Sequence, residues 1–420
     1  MSQRPFETRL RHLARTLWGL GLIAVLTLVL PPVRPAALAL SDAQQLVVEA
    51  WRLVNQSYVD PQRFDQVNWK RLRQKALEQP ISRSEDAYGA IDALLAPLGD
   101  PYTRLLRPAE YGDLQSNTQG TVTGVGLQLG LRSPDQRVVV IAPLDGSPAA
   151  EAGISSGMVV LAVDGRSSAE LGLEGTARQL RGPSGSSVLV QLSGPGDTPL
   201  EVELERRQVD LRPVRSKRLR SGSHTLGYVR ITQFAEPVPE QVAQALKELD
   251  DKEIEGLILD LRNNSGGLVN AGLAVADQLL SAAPIVETQG RDGLESPVQA
   301  NPGNLYDGPM LTLVNGGTAS ASEILAGALQ DDGRSPLVGS KTFGKGLIQS
   351  LIPLGDGSGL AVTVARYVTP SGRDIQNQGI SPDVTLSGAE PLNPGGDSDD
   401  WLEQAQRLLV QQLDTGASPA

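Results

Sequence analysis

Three residues in one short span, Ser320, Lys345 and Gln349, are of types that together would carry out acyl transfer. A serine hydroxyl becomes a strong nucleophile when a base takes its proton. A lysine amine can be that base only when neutral, and burial favours neutrality because desolvation disfavours the ammonium. Lys345 lies between Gly344 and Gly346 and follows Phe343, so the backbone there can bend and an apolar ring stands next to the amine to strip it of water. Gln349 follows in a strand-like run whose alternate positions share a face, where its amide would hold the amine in line. Each residue also has a plainer reading. Ser320 with Glu323 is a capping box, Lys345 a solvated lysine in a glycine turn, and Gln349 a polar strand residue. Ser322 is the nearby rival nucleophile. The serine and lysine occurring together is what favours a serine/lysine peptidase site.

The elements that must position these residues are legible around them. Leu311 to Val314 is an apolar run closed by Asn315-Gly316-Gly317, which predicts a buried strand ending in a turn. A helix from Ser320 follows, with Ile324, Leu325, Ala328 and Leu329 as its apolar stripe and Asp331-Asp332-Gly333 as its stop. Leu347 to Leu354 and Leu360 to Val368, joined through Gly355-Asp356-Gly357-Ser358-Gly359, predict a hairpin. Composition closes off rival chemistries. There is no cysteine, hence no thiol nucleophile or thiolate metal site, and the two histidines are His12, near the start, and His224, in a polar run that reads as a surface loop. Neither a Ser-His-Asp triad nor a zinc centre is expected, and no cofactor.

Taken in order, residues 1–39 read as a signal peptide: four arginines precede the apolar run Leu17 to Leu30, and Ala37-Leu38-Ala39 offers a small-x-small cleavage pattern. The run is short against the roughly twenty residues that cross a bilayer, which makes a retained anchor the lesser alternative. The net charge is −11, and losing the leader with its five arginines and one glutamate leaves about −15. So acidic a chain is not a nucleic-acid binder. Residues 40–116 read as a helical domain, with Val47, Trp51, Val54 and Tyr58 at the helical period and Trp51, Tyr58 and Trp69 as core. Residues 120–207 change to short β runs and glycine turns and resemble a PDZ domain. In such a domain the backbone N–H groups of Gly124, Val125, Gly126 and Leu127 would cradle a terminal carboxylate while the peptide tail adds as a strand. Met158 stands where many such domains have aspartate. Residues 208–388 alternate strands and helices, an α/β pattern, and 389–420 read as a linker followed by an amphipathic helix from Trp401 to Leu413 with a frayed end.

Thr318 to Glu323 (TASASE), Lys341 to Gly346 (KTFGKG) and Asp260 to Leu268 (DLRNNSGGL) closely resemble the carboxyl-terminal processing, or tail-specific, peptidases, and the resemblance covers nearly the whole chain after the leader. It implies Ser320 as nucleophile, Lys345 as general base, Gln349 as its orienting residue, and the backbone N–H groups of Gly266 and Ala321 as the oxyanion hole. Ser265 replaces a proline frequent in the family. The implied fold is multidomain α+β: a helical N-terminal domain, a PDZ-like β domain, and an α/β core resembling the ClpP/crotonase fold. DPYTRLL at Asp100 to Leu106 and FGKGLIQ at Phe343 to Gln349 are most similar to members that trim the precursor of a photosystem II reaction-centre polypeptide. The implied partner is therefore a membrane-embedded protein with a free carboxyl-terminal tail, met in a thylakoid lumen or periplasm. A general periplasmic quality-control protease and a non-enzymatic PDZ scaffold are the alternatives; Arg181, in a glycine-proline turn, is a candidate for docking the PDZ-like module on the core.

Overall fold

The computed structural model describes residues 40–416 apart from 133–136, 145–146, 155–157, 195–198, 211, 392–393 and 397. The signal-peptide reading and most of the frayed-end reading thus fall outside the described residues. Residues 41–420 cluster as one unit. Among the described residues no helix is long and apolar enough to cross a membrane.

The site is built on a six-stranded sheet in the order Val214–Ser221, His224–Ile231, Gly256–Asp260, Met310–Val314, Leu337–Gly339, Val384–Thr385. The first pair is an antiparallel hairpin and every later pairing is parallel. Gly256–Asp260 and Met310–Val314 are buried along their whole length, which is why they read as unbroken apolar runs. Alternate residues serve opposite faces. Leu257, Leu259 and Met310 pack under the helices Val238–Asp250, Val269–Leu279 and Ala321–Asp331, while Ile258, Leu311 and Leu313 meet Trp401, Leu402, Ala405 and Leu409 of the helix Asp400–Thr415.

A second sheet runs beside the site. Its central strand, Gly359–Val368, pairs with Leu347–Pro353 as the expected hairpin and also with Arg104–Leu106 and Pro284–Gly290. The helices Asp42–Ser57, Pro61–Gln66, Trp69–Leu77 and Ser84–Leu95 build a core that the second sheet completes. Tyr58, Phe64 and Trp69 share one cluster with Leu354, Leu360 and Val362 from the hairpin, so this helical region is welded to the sheet that carries the lysine loop.

Residues between these parts form an antiparallel six-stranded sheet, Leu127–Arg132, Arg137–Pro143, Val159–Val163, Ser187–Ser193 and Pro199–Glu205 in order with the short Arg166–Ser167 paired to Val159–Val163, packed against the helix Ser168–Leu180. Thr121–Gly124 pairs with Arg207–Asp210, so the chain enters and leaves this β module through a single two-stranded ribbon. His224 corrects the loop expectation. It opens a strand, and its Nδ1 and Nε2 lie 2.7 Å from Glu255 and 3.1 Å from Asp414, tying the last helix to the sheet.

Candidate active site

Ser320 sits where the Met310–Val314 strand has turned into the Ala321–Asp331 helix, with φ 59° and ψ −121°. A non-glycine residue there carries strain on the order of 1–3 kcal/mol, so its surroundings must hold it. Two loops do so. Asn315 and Asn263 exchange bonds, the Asn315 amide nitrogen donating to Asn263 Oδ1 at 2.7 Å and the Asn263 N–H donating to Asn315 Oδ1 at 2.8 Å. The Asn264 carbonyl accepts from the Ala319 N–H at 3.0 Å and from the Ser322 hydroxyl at 2.9 Å. Ser322 is thereby committed to the scaffold.

Glu323 completes the elbow, though not as a simple capping box. Its Oε2 accepts the Ser320 N–H at 2.9 Å, while its own N–H goes to the Ser320 carbonyl at 2.8 Å. The Ser320 hydroxyl makes no capping bond, and the residue keeps 9 % of its surface exposed. The same carboxylate, itself fully buried, receives the Lys345 N–H at 2.9 Å on Oε2, and on Oε1 the Gly344 N–H at 2.8 Å and the Thr342 hydroxyl at 2.6 Å. On the other side, the Tyr367 hydroxyl lies 2.6 Å from the Lys345 carbonyl and 3.0 Å from that of Ser320. Gly344, at φ 92°, lets this loop pass close to Gly379, whose nitrogen would be 2.7 Å from an added Cβ.

The Lys345 amine lies 5.1 Å from the centroid of the Tyr102 ring, a cation–π distance. Burial pushes its pKa below the ordinary 10.5, helped by the Arg104 charge and opposed by Asp100 and Glu323. The shield differs from the one expected. Phe343 is 59 % exposed, its backbone pinned by a bond from its N–H to the Thr318 carbonyl, and the ring against the amine belongs to Tyr102, far away in sequence. Among the described residues no hydrogen bond joins the Lys345 amine to the Ser320 hydroxyl.

Gly266 lies against the nucleophile position. At φ 100°, an added Cβ would come 2.8 Å from the Ala319 carbonyl oxygen, 2.9 Å from Ser320 Cβ and 3.1 Å from the Ala321 nitrogen. Its own N–H donates to Asn264 Oδ1 at 2.9 Å, whereas the Ala321 N–H, at the first helical position, meets no acceptor among the described residues. Among the described residues no hydrogen bond joins Gln349 to Lys345. The pairing register shifts between Ile348 and Gln349, and the Gln349 amide nitrogen lies 3.4 Å from Thr363 Oγ1.

In the β module, the carbonyls of Val125 and Gly126 turn inward, accepting from Ala149 N–H at 3.0 Å and Leu144 N–H at 2.8 Å. Gly126, at φ 74°, has no room for a Cβ, which would fall 2.2 Å from Ser147 Cβ. Gly124 and Leu127 flank this turn as strand residues, Gly124 also bridging to Arg181. Arg181 reaches Asp113 only at 3.9 Å, both exposed.

Glu323, Tyr367 and Tyr102 are the site residues that sequence reasoning missed in these roles. The S-x-x-E spacing flagged Glu323, but only as a cap; nothing local flags the tyrosines.

A strained serine at a helix start with a free N–H behind it, facing a loop that carries a desolvated lysine, is the equipment of a serine-type peptidase on an α/β scaffold. Comparison with known proteins agrees. Residues 225–386 match the model of peptidase family S41. A carboxyl-terminal-processing protease of Synechocystis sp. is 46 % identical over 360 residues, covering 85 % of this chain and 84 % of that protein. The chloroplastic C-terminal processing peptidase of Tetradesmus obliquus is 42 % identical, over 83 % and 78 %. A solved photosystem II D1 C-terminal processing protease superposes with a TM-score of 0.62 at 38 % identity, covering 88 % of this chain and 98 % of that one. The chain belongs to peptidase family S41, among its carboxyl-terminal processing proteases.

Proposed function

We propose that this peptidase removes a carboxyl-terminal extension from the precursor of a membrane-embedded photosystem II reaction-centre polypeptide, acting as an exported enzyme on the lumenal or periplasmic face. The observation that carries the catalytic part is the shared Glu323 oxygen, which fixes the backbones of Ser320 and Lys345 to one anchor. In the reaction Lys345 Nζ takes the Ser320 proton as Oγ attacks the scissile carbonyl. The Ala321 N–H receives the developing oxyanion, joined by that of Gly266 once it is shared away from Asn264. Lys345 then returns its proton to the leaving amine, and water attacks the acyl-enzyme by the same route. Gln349 orients the amine after rotating from Thr363. The division at 40–116, 120–207 and 208–388, the PDZ-like nature of the β module and the ClpP/crotonase-like core belong to this reading. So does capture of the tail carboxylate by residues 124–127, supported by the inward-turned carbonyls of Val125 and Gly126.

Two measurements test it. Mass spectrometry of cells lacking the chain should find the reaction-centre polypeptide retaining its extension; a fully trimmed polypeptide would remove that substrate. Acid and amide forms of one tail peptide should differ about tenfold or more in kcat/KM, the worth of a hydrogen bond to a charged group. Equal cleavage would leave residues 120–207 as a structural module.

A further inference from the structure

Arg230 is a nearly buried cation whose one recorded partner among the described residues is a carboxylate already shared with others. It is 9 % exposed, yet among the described residues its guanidinium makes no hydrogen bond, and Nη1 is buried with none. Among the described residues its ionic neighbour is Asp260, with Oδ2 3.1 Å from Nη1 but off the hydrogen-bond direction. Asp260 cannot serve it better, because its oxygens are already taken. Arg262 donates to Oδ1 at 2.9 Å and to Oδ2 at 2.6 Å, and the Tyr228 hydroxyl donates to Oδ2 at 2.7 Å. Asp399 is likewise used up by Arg262, at 2.9 and 2.6 Å, and by the Gly395 and Leu402 N–H groups at 2.6 and 2.9 Å.

The strand register adds charge of the same sign. Arg215 stands directly opposite Arg230 across the antiparallel pair, and Lys217 opposite Tyr228. Like charges facing each other across a ladder repel. Lys217 uses one donor on the Gly395 carbonyl at 2.7 Å and lies 5.4 Å over the Tyr228 ring. Between these side chains and the Gly395-Gly396 turn is a cavity of about 210 Å³. Three cations thus line one open pocket in a chain whose net charge is −11.

We propose that this cavity is a binding site for a tetrahedral oxyanion of the phosphate or sulfate class, held by Arg230 and Arg215 with Lys217 at the rim. It is separate from the catalytic residues described above, and nothing in the proposed peptidase reaction uses it. A bound anion would accept from the Arg230 guanidinium nitrogens other than Nη1, which faces Asp260, and would offset the repulsion across the strand pair.

Equilibrium dialysis of the purified chain against radiolabelled inorganic phosphate, at constant ionic strength set with chloride, is the direct test. One saturable site is expected, weakened about tenfold or more in Arg230→Gln and in Arg215→Gln, as the loss of a charge-assisted hydrogen bond implies. Arg215 is exposed, so its variant keeps the test open should Arg230→Gln fail to fold. Flotation with phosphatidylglycerol vesicles separates the two sources of such a group. Flotation that Arg215→Gln abolishes, without free-phosphate binding, assigns the site to a lipid headgroup. Binding of neither probe, or binding equal in wild type and both variants, overturns the proposal.

Discussion

The backbone N–H groups of Ser320 and Lys345 donate to the same oxygen, Oε2 of Glu323, each at 2.9 Å. The proposed nucleophile and base are therefore registered through a side chain that touches neither reacting atom. Because the carboxylate is fully buried and serves four donors, replacing it leaves several of them unmet. Glu323→Gln is expected to lower kcat at least tenfold with KM within about threefold, and to cost about 3 kcal/mol in urea unfolding. Wild-type kcat in a folded Glu323→Gln chain would remove this positioning role.

Ser320→Ala and Lys345→Ala should each abolish turnover, and the double variant should be no worse, since nucleophile and base act as a unit. Ser322→Ala should keep its activity while losing about 1 kcal/mol of stability with its bond to the Asn264 carbonyl. An inactive Ser322→Ala beside an active Ser320→Ala would reverse the assignment.

Activity should rise with pH through the ionisation of Lys345, which burial holds below 10.5. Asp100 opposes the depression and Arg104 adds to it, so Asp100→Asn should move the rise to lower pH and Arg104→Gln to higher pH. Tyr102→Leu should also displace it, and exposed Phe343→Ala should not. The folded form binds fewer protons here than the unfolded form, so the burden on stability is full below the depressed pKa and fades as pH climbs to 10.5. Lys345→Met should accordingly raise Tm at pH 7, by a margin that shrinks toward pH 10. A pH-independent margin would speak against a desolvated amine.

Gly266→Ala should cost about 10² to 10³ in kcat, because the new methyl meets Ser320 and the Ala319 carbonyl below 3 Å and forces outward the loop proposed to hold the oxyanion. Stopped-flow acylation with a chromogenic ester would show it as a slowed first step. An unchanged burst would mean that the loop lies clear of the chemistry.

The sequence alone determined what is local. Ser320 at a helix start, Lys345 in a glycine-flanked loop, the buried strand before them and the hairpin after them follow from spacing, glycine position and apolar runs over a few residues, and the structure has each of them. Only the tertiary structure decided what crosses long stretches of chain. Tyr102 covers the lysine that Phe343 was expected to cover, Tyr367 reaches two carbonyls, Gln349 turns to Thr363, and His224 stands between two carboxylates. A capping-box spacing cannot say that one carboxylate will also hold a loop twenty-two residues later, because the local geometry of the cap is the same whether or not that loop arrives. The loop leads into the second sheet, where Gly359–Val368 pairs with Arg104–Leu106 and shares a hydrophobic cluster with the N-terminal helices, contacts that no local period foretells.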